Sequence, residues 1–308
     1  MRSLLRFFFV FILLSPLQLS AAPTLTSLQD SLRIIGPKVF KGKDQDKLVY
    51  NQKFTGFLKQ ALEMDGAFEF GFDSLEFIGR LTAPDNAFRI FNWNIPMEDG
   101  THKYYGFILV DQNKIEGKKV KKSKLKSKNR YVLYELTDQS DFIRNPELTS
   151  LNCDKWFGCL YYKIIHTSNK GKDYYTLFGW DGNTPLSWKK VIEVMTFGRD
   201  GQPLFGEEPA FQVKKLTKRR VIFEFKAELV MTLKYEEKPK KRIVFDILVP
   251  EVSGAEGMAQ FMVNSGNYDS YEWKKGKWVY VPDIDARNNP NPRDRDYNNP
   301  DGMRTPPR

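Results

Sequence analysis

The spacing of apolar residues changes near residue 68 and divides the chain into two regions. Before this point, apolar residues recur at the i, i+3, i+4, i+7 and i+8 positions that form one buried face of a helix. Asp46 can cap such a helix, and Gly66 suits the position just after its end. We therefore expect one N-terminal helix over residues 47–64, within a segment that spans residues 23–67. The residues of its apolar face are Phe54, Phe57, Leu58, Ala61 and Leu62.

From Phe68 onward, apolar and polar residues alternate, and turn-forming residues recur at short intervals. Alternation with a period of two predicts half-buried strands, and short turns between strands predict antiparallel pairing. We therefore expect residues 68–282 to form a mainly β body of antiparallel meander sheets. The predicted strands span residues 74–81, 88–93, 104–110, 131–136, 158–166, 174–180, 190–197, 220–225, 228–235, 242–249 and 277–281.

Two segments of this β region resemble each other. Residues 88–94, Phe-Arg-Ile-Phe-Asn-Trp-Asn, align without gaps with residues 175–181, Tyr-Thr-Leu-Phe-Gly-Trp-Asp. A third segment, residues 221–249, has predicted strands but no Trp. The spacing would suit successive four-stranded sheets, as in propeller blades, although blades usually repeat in about 40–50 residues. A β-sandwich or an open, repeated meander fits the pattern equally well.

The first 22 residues have the layout of a secretory signal peptide. Arg2 and Arg6 precede an apolar run at residues 7–14, and small residues at positions 20–22 suit a signal peptidase. The run is too short to span a bilayer, which takes roughly 20 residues. We expect an exported protein, periplasmic, outer-membrane-associated or secreted, with no transmembrane helix in its mature chain. Cleavage is expected after Ala21.

The residues after position 282 contain almost nothing apolar. Residues 283–308 consist mainly of Asn, Asp, Arg and Pro, a composition that cannot bury enough surface to become ordered. We expect a disordered, flexible tail. Two short acidic patterns in it resemble the start of a calcium loop, but they lack the Gly and Glu that such a loop needs, so no metal site is expected.

The charge balance bears on the class of partner. The formal net charge is +10, of which Arg2 and Arg6 lie in the expected signal peptide. An exported protein does not meet nucleic acid in its compartment, so nucleic acid is not an expected partner. The anions it would meet are lipid headgroups, lipopolysaccharide phosphates and acidic glycans. General solubility explains the charge equally well.

The strongest charge feature is a basic run at residues 114–130, which holds nine Lys and Arg against one Glu. As a strand pair it would be a Lys-rich, solvated β-hairpin whose charge protects a sheet edge. As a site it would bind an anionic surface, since each cation adds up to about 1 kcal/mol near a charged membrane. The basic surface residues are Lys118, Lys119, Lys121, Lys122, Lys124, Lys126, Lys128 and Arg130.

The chain has two cysteines, Cys153 and Cys159, separated by five residues. In an oxidising compartment such a pair is expected to form a local disulfide. The spacing is not that of a redox-active Cys-x-x-Cys pair. Neither His102 nor His166 lies beside the pair in sequence, so we expect no metal site there.

Catalytic signatures are absent. The sequence contains no Gly-x-Ser-x-Gly elbow, phosphate-binding Gly-rich loop or His-Glu-x-x-His motif, and no cofactor is expected. The Ser-x-x-Lys pairs at 123/126 and 187/190 lie in the basic run and at a predicted strand. A glycan hydrolase would need two carboxylates about 5–10 Å apart. Candidate carboxylates are Asp73, Glu76, Glu98, Asp99, Asp181, Glu207 and Glu208.

Four tryptophans are candidate platforms for stacking a sugar ring: Trp93, Trp180, Trp273 and Trp278. Trp93 and Trp180 end apolar, alternating strands, where a Trp more often belongs to the core or its rim. Trp273 and Trp278 flank a predicted hairpin turn.

Three segments carry a resemblance to known sequences. Residues 81–94, together with the Asp-Gly-Thr-His of residues 99–102 and the Leu-Phe-Gly-Trp-Asp-Gly of residues 177–182, resemble a group of uncharacterised exported proteins of Bacteroidota. The resemblance covers residues 70–285. It implies an envelope or secreted location in a Gram-negative cell, and it assigns no activity and no catalytic residue.

These observations favour a non-enzymatic protein of the cell envelope that binds a partner protein or an anionic envelope surface. The alternative is a protein that binds or hydrolyses glycans through its aromatic clusters and loop carboxylates. The two hypotheses differ in salt response, because binding through a basic run weakens as ionic strength rises, whereas stacking on an aromatic ring does not.

Overall fold

The computed structural model describes residues 22–115, 130–208 and 210–285. Lys118, Lys119, Lys121, Lys122, Lys124, Lys126 and Lys128, the expected signal peptide apart from Ala22, and the tail from residue 286 lie outside these ranges. The protein is mainly β, as the sequence predicts, with 47% of the described residues in strands and 18% in helices. The helices are α1 (Leu25–Val39), α2 (Asp44–Leu62) and α3 (Gln112–Ile115), with 3₁₀ helices at Ser140–Phe142 and Ala259–Phe261.

Three sheets form the β body. Sheet 1 has the order β1-β2-β3-β4, with β1 (Gly79–Thr82), β2 (Phe88–Pro96), β3 (His102–Asp111) and β4 (Tyr131–Thr137). Sheet 2 has the order β5-β9-β8-β7-β6, with β5 (Leu151–Asn152), β6 (Leu160–Asn169), β7 (Lys172–Asp181), β8 (Ser187–Phe197) and β9 (Pro203–Phe205). The strand β12 (Arg220–Lys226) pairs with β8 of this sheet.

Sheet 3 has the order β11-β10-β16-β15-β14-β13. Pairing within the three sheets is antiparallel except between β10 and β16. The strands of sheet 3 are β10 (Phe211–Val213), β11 (Leu216–Lys218), β13 (Leu233–Glu236), β14 (Arg242–Pro250), β15 (Met262–Lys274) and β16 (Lys277–Ile284).

The elements stack in four layers with a buried cluster in each gap. Helices α1 and α2 pack on one face of sheet 1, where Leu58 meets Phe91 and Phe107 in one cluster. The other face of sheet 1 packs on sheet 2. The opposite face of sheet 2 packs on sheet 3, where Phe178 lies in one cluster with Phe245. Both inner sheets are therefore covered on two faces.

The sequence repeat marks the two strands that this layering buries most. In β2, Ile90 faces sheet 2 while Phe91 faces the helices. In β7, Leu177 faces sheet 1 while Phe178 faces sheet 3. A strand covered on both faces needs apolar residues at successive positions, which explains why the two segments look alike. Each is also the middle strand of a three-stranded meander.

The predicted helix over residues 47–64 corresponds to α2, and α1 precedes it without having been predicted. Thr24 caps α1 in a reciprocal pair with Ser27, where a capping box usually has Glu or Gln. The sequence therefore lacks the usual signal for the start of this helix. Gly36 faces the ring of Phe77, and a Cβ at this position would lie 1.9 Å from that ring. A larger residue there would push α1 away from the core.

The outer face of sheet 3 carries paired charges. Alternate residues of β13, β14 and β15 point away from sheet 2. Glu236 forms ion pairs with Lys234 at 2.9 Å and with Arg242 at 2.6 Å. Glu272 pairs with Lys274 at 2.7 Å and with Lys240 at 3.4 Å. The charges on this face therefore neutralise one another, and Glu272 is itself buried.

The expected disulfide between Cys153 and Cys159 is absent, because both cysteines are free and buried. The Cys153 sulfur lies 3.9 Å from the carbonyl oxygen of Pro203, in β9. The Cys159 sulfur instead occupies the space over Gly179, in β7. The two thiols thus point to different parts of the core. Burial raises the pKa of Cys153 to about 12, so this thiol is not a reactive thiolate.

An ion pair lies inside sheet 2. Arg220 on β12 donates to the Glu193 carboxylate on β8 at 2.7 and 2.9 Å, and both side chains are completely buried. The hydroxyl of Tyr161 also donates to Glu193, and the indole of Trp156 donates to that hydroxyl at 2.8 Å. Arg220 further binds the carbonyl oxygen of Thr149 at 3.2 Å. The pair therefore ties three segments together.

Replacing Glu193 with Gln should destabilise the protein by about 3–5 kcal/mol, because the Arg220 charge would remain buried without its counterion. Urea unfolding of the purified protein measures this loss. Glu135→Gln is the matched control. It breaks a half-exposed pair with Lys59 at 3.1 Å, for which we expect a loss below about 1 kcal/mol. Equal losses in the two variants would contradict a stabilising role for the buried pair.

Candidate anion-binding site

A pocket of about 510 Å³ opens at one end of sheet 1. Its walls come from the segment before β1, from β2, and from the ends of β3 and β4. These elements bring together cationic and aromatic side chains that are far apart in sequence. The cationic and aromatic residues that line the pocket are Phe68, Phe70, Arg89, Lys114, Arg130 and Tyr131.

Arg89 forms the charged floor of this pocket. It is 8% exposed, and its Nη1 donates to the carbonyl oxygens of Ala67, Phe68 and Phe70 at 3.2, 2.8 and 2.6 Å. Its guanidinium lies 4.8 Å from the ring centroid of Phe91. Nη1 therefore has carbonyl acceptors, but carbonyl groups carry no net charge.

No carboxylate lies within ion-pair distance of Arg89 among the described residues. Glu69 and Asp73 act on it only at longer range, and burial, with Arg80 nearby, lowers the pKa of Arg89. An arginine keeps its proton at any physiological pH. The pocket floor is therefore a buried positive charge without a counterion, and burying such a charge is costly.

The acids of the pocket are already engaged. Arg130 donates to the buried Asp111 at 2.7 and 3.2 Å. The Tyr131 hydroxyl donates to Glu69 at 2.5 Å. Lys114, by contrast, donates to a backbone carbonyl, that of Asp85, at 3.1 Å. Arg89 and Lys114 thus both face the pocket with positive charge that forms no ion pair with a carboxylate of the described residues.

An aromatic wall stands beside these cations. The rings of Phe68 and Tyr131 stack with their centroids 4.9 Å apart, and the Arg130 guanidinium lies 4.8 Å from the centroid of Tyr131. Burial, together with the bond to Glu69, raises the pKa of Tyr131 to about 12. Its phenol therefore stays neutral and holds Glu69 to the side of the pocket.

The basic run predicted from the sequence begins and ends at this pocket, since Lys114 and Arg130 both line it. Arg89 was not singled out from the sequence, although one signal was present. It interrupts the apolar run Phe88-Arg89-Ile90-Phe91, and a charge inside a strand buried on both faces needs a structural or functional reason.

Two of the four candidate stacking tryptophans are core residues, which corrects the sugar-platform hypothesis for them. Trp93 is buried under α2 and donates from Nε1 to Asn51 at 2.7 Å. Trp278 is buried between sheets 2 and 3 and donates to Thr176 at 2.9 Å. Each ring is covered by protein, and each indole N–H is already used.

Trp180 and Trp273 are half-buried. Trp180 meets the ring of His102 edge-on, with the centroids 5.4 Å apart, and meets Trp188 at 5.6 Å. Trp273 packs against Tyr174 at 5.4 Å. Both rings belong to the rim of the core rather than to an open platform.

Some of the candidate hydrolase carboxylates are held by neighbouring residues. Asp181 accepts from the Tyr104 hydroxyl at 2.9 Å and from the backbone N–H of Asn183 at 2.7 Å. Glu208 and Glu207 share the Lys172 ammonium, at 2.8 and 3.6 Å, on an exposed segment. Within the ranges that it describes, the structure places none of the seven candidates in the pocket of Arg89. It also shows no group of residues suited to hold a metal ion in those ranges.

His102 lies beside Asp181 and is partly buried. The amide nitrogen of Asn94 donates to its Nδ1 at 2.7 Å, as the amide is assigned, so the ring carries its hydrogen on Nε2. Burial lowers the pKa of His102, and the Asp181 carboxylate opposes that shift only in part. The neutral imidazole is therefore the form that fits this position.

Comparison with protein-family models, with curated proteins and with solved structures found no match to this chain. The pocket is therefore interpreted from its geometry and charge alone.

Protonation of His102 should destabilise the fold as pH falls below about 6.5, the value expected in the unfolded chain. The unfolded state binds the proton first because the folded pKa is lowered, so stability is complete above this pH and decreases below it. His102→Gln should show a smaller loss of unfolding free energy between pH 7.5 and about pH 5.

His166→Gln is the control for this measurement, because it retains His102 and should retain the same acid-dependent loss. The titration stays above about pH 5 because burial raises the pKa of Asp181, which adds the opposite trend in more acidic solution. Identical pH profiles for wild type and His102→Gln would contradict the assignment.

Proposed function

We propose that this protein is an exported component of a bacterial cell envelope that binds an anionic group of the envelope in the Arg89 pocket. The group is a phosphate or carboxylate borne by a lipid headgroup or a surface glycan. The export proposal rests on the signal-peptide pattern and on the resemblance described above. The binding proposal rests on the pocket.

The observation that carries the binding proposal is the uncompensated charge of Arg89. Its guanidinium is buried at the floor of an open pocket, and its contacts are neutral carbonyl groups. A bound anion would supply the missing counterion. Hydrogen bonds to a charged group contribute about 1.5–3 kcal/mol, which is enough for selective binding.

The basic run supports the same function. Lys114 and Arg130 are the first and last cations of the run, and both line the pocket. The chain therefore enters and leaves the basic run at the pocket. Cations near an anionic surface attract it over about 8–10 Å at physiological ionic strength. A partner protein is the other kind of target that the sequence allows. An anionic surface is favoured because Arg89 and Lys114 form no ion pair with any carboxylate in the described part of the chain.

The proposal has no membrane-spanning requirement. No helix in the described part of the chain is long and apolar enough to cross a bilayer.

Arg89→Gln and Lys114→Gln should each weaken binding to vesicles that contain an anionic phospholipid, by about tenfold or more for Arg89→Gln. Lys114 lies on the pocket rim and makes one backbone contact, so its variant is expected to fold normally. Vesicle co-sedimentation at two salt concentrations measures both effects. Wild-type binding should decrease as salt increases.

Lys170→Gln is the matched control, since Lys170 is an exposed cation on the turn between β6 and β7, outside the pocket. It should bind like wild type. A parallel measurement with soluble polygalacturonate separates a carboxylate glycan from a lipid phosphate. Equal binding by wild type and Lys114→Gln, or equal binding to uncharged vesicles, would show that the pocket is not the anion site.

A further inference from the structure

A second cleft, of about 350 Å³, lies where β3 begins and β4 ends, and we call it the Phe142 cleft. Its walls combine ring faces with carboxylate and amide groups. The residues that matter here are Tyr105, Glu135, Asp138, Gln139, Asp141 and Phe142. None of them lines the Arg89 pocket.

Phe142 is an exposed ring on a rigid turn. It is 76% exposed, which is unusual for so large an apolar side chain. The turn cannot easily fold the ring away. Asp138 Oδ1 accepts from the backbone N–H of Ser140 at 3.0 Å, from its hydroxyl at 2.6 Å and from the N–H of Gly158 at 3.2 Å. The N–H of Gln139 donates to the Trp156 carbonyl at 2.9 Å.

The same bonds orient the Asp138 carboxylate. Three donors converge on Oδ1, and Oδ2 has no bond recorded with any described residue. Gly158 packs so closely on this carboxylate that a Cβ there would lie 2.4 Å from it. Asp138 is therefore fixed at the cleft wall with acceptor capacity remaining.

The cleft is lined by three carboxylates, Glu135, Asp138 and Asp141, and by one ammonium, Lys103. Glu135 is paired with Lys59 at 3.1 Å, whereas Asp138 and Asp141 form no ion pair with any described residue. An anionic ligand would meet carboxylates on the same wall. Acceptor oxygens beside an exposed ring favour a ligand that combines an apolar face with several hydroxyl donors.

We propose that the Phe142 cleft binds a neutral oligosaccharide. The apolar face of one sugar ring would pack on Phe142, and sugar hydroxyls would donate to the carboxylates of Asp138 and Asp141. Sites of this kind pair apolar or aromatic surface with a few fixed polar groups. The rigidity of the turn lowers the ordering cost of binding. This site is separate from the anion site and does not depend on it.

The test uses the mature protein and four neutral hexasaccharides, built from cellulose, starch, xylan and chitin units, measured by calorimetry and by saturation-transfer NMR. We expect at least one of them to bind, with an affinity that does not change between low and high salt. Phe142→Ala should weaken this binding at least tenfold, and Asp141→Asn should weaken it too. Both side chains are exposed, so both variants should fold.

Leu216→Ala is the matched control, because Leu216 is another highly exposed apolar residue, outside the cleft, and its variant should bind like wild type. Lys114→Gln should also retain sugar binding, which separates this proposal from the anion proposal. The proposal is overturned if no hexasaccharide binds, or if Phe142→Ala binds as tightly as wild type. Salt-sensitive binding of oligolysine in the cleft would overturn it as well.

Discussion

The structure depends on burying both faces of its two inner sheets. Sheet 1 is covered by helices on one side and by sheet 2 on the other, and sheet 2 is covered by sheets 1 and 3. Burial of apolar area is the dominant favourable term in folding, at roughly 25 cal/mol per Å². Because β2 and β7 contribute to two gaps each, successive positions at their centres, such as Ile90-Phe91 and Leu177-Phe178, are apolar. The repeat in the sequence records this constraint.

Two buried charged residues in the strands of sheets 1 and 2 differ in how the protein accommodates them. Glu193 in β8 is neutralised by Arg220 and forms the polar centre of sheet 2. Arg89 in β2 meets only carbonyl groups of the segment before β1. One charge is balanced within the protein and the other is not. That difference is why the Arg89 pocket, and not the interior of sheet 2, is the candidate binding site.

The sequence predicted what local periodicity encodes. The helix over residues 47–64 matches α2 because its apolar residues have a clear helical period, and the strand beginning at Phe88 matches β2 because a turn precedes its apolar run. It did not predict β15, whose first half contains Asn264, Ser265, Gly266 and Asn267, residues typical of loops. The sequence did not predict the order of the layers, because contacts between distant segments decide which sheets pack on each other. The two proposed binding sites depend on the same contacts, and so does the separation of Cys153 from Cys159.

Stacked sheets also raise the question of where stacking stops. A layer that is apolar on its outer face would accept a further sheet from another chain, and growth could continue in one direction. Here the helices close one end. At the other end, a second sheet would have to pack on Glu236, Arg242, Glu272 and Lys274, whose paired charges gain little from further burial. The ion pairs on sheet 3 therefore act as a terminus and keep the stack at three sheets.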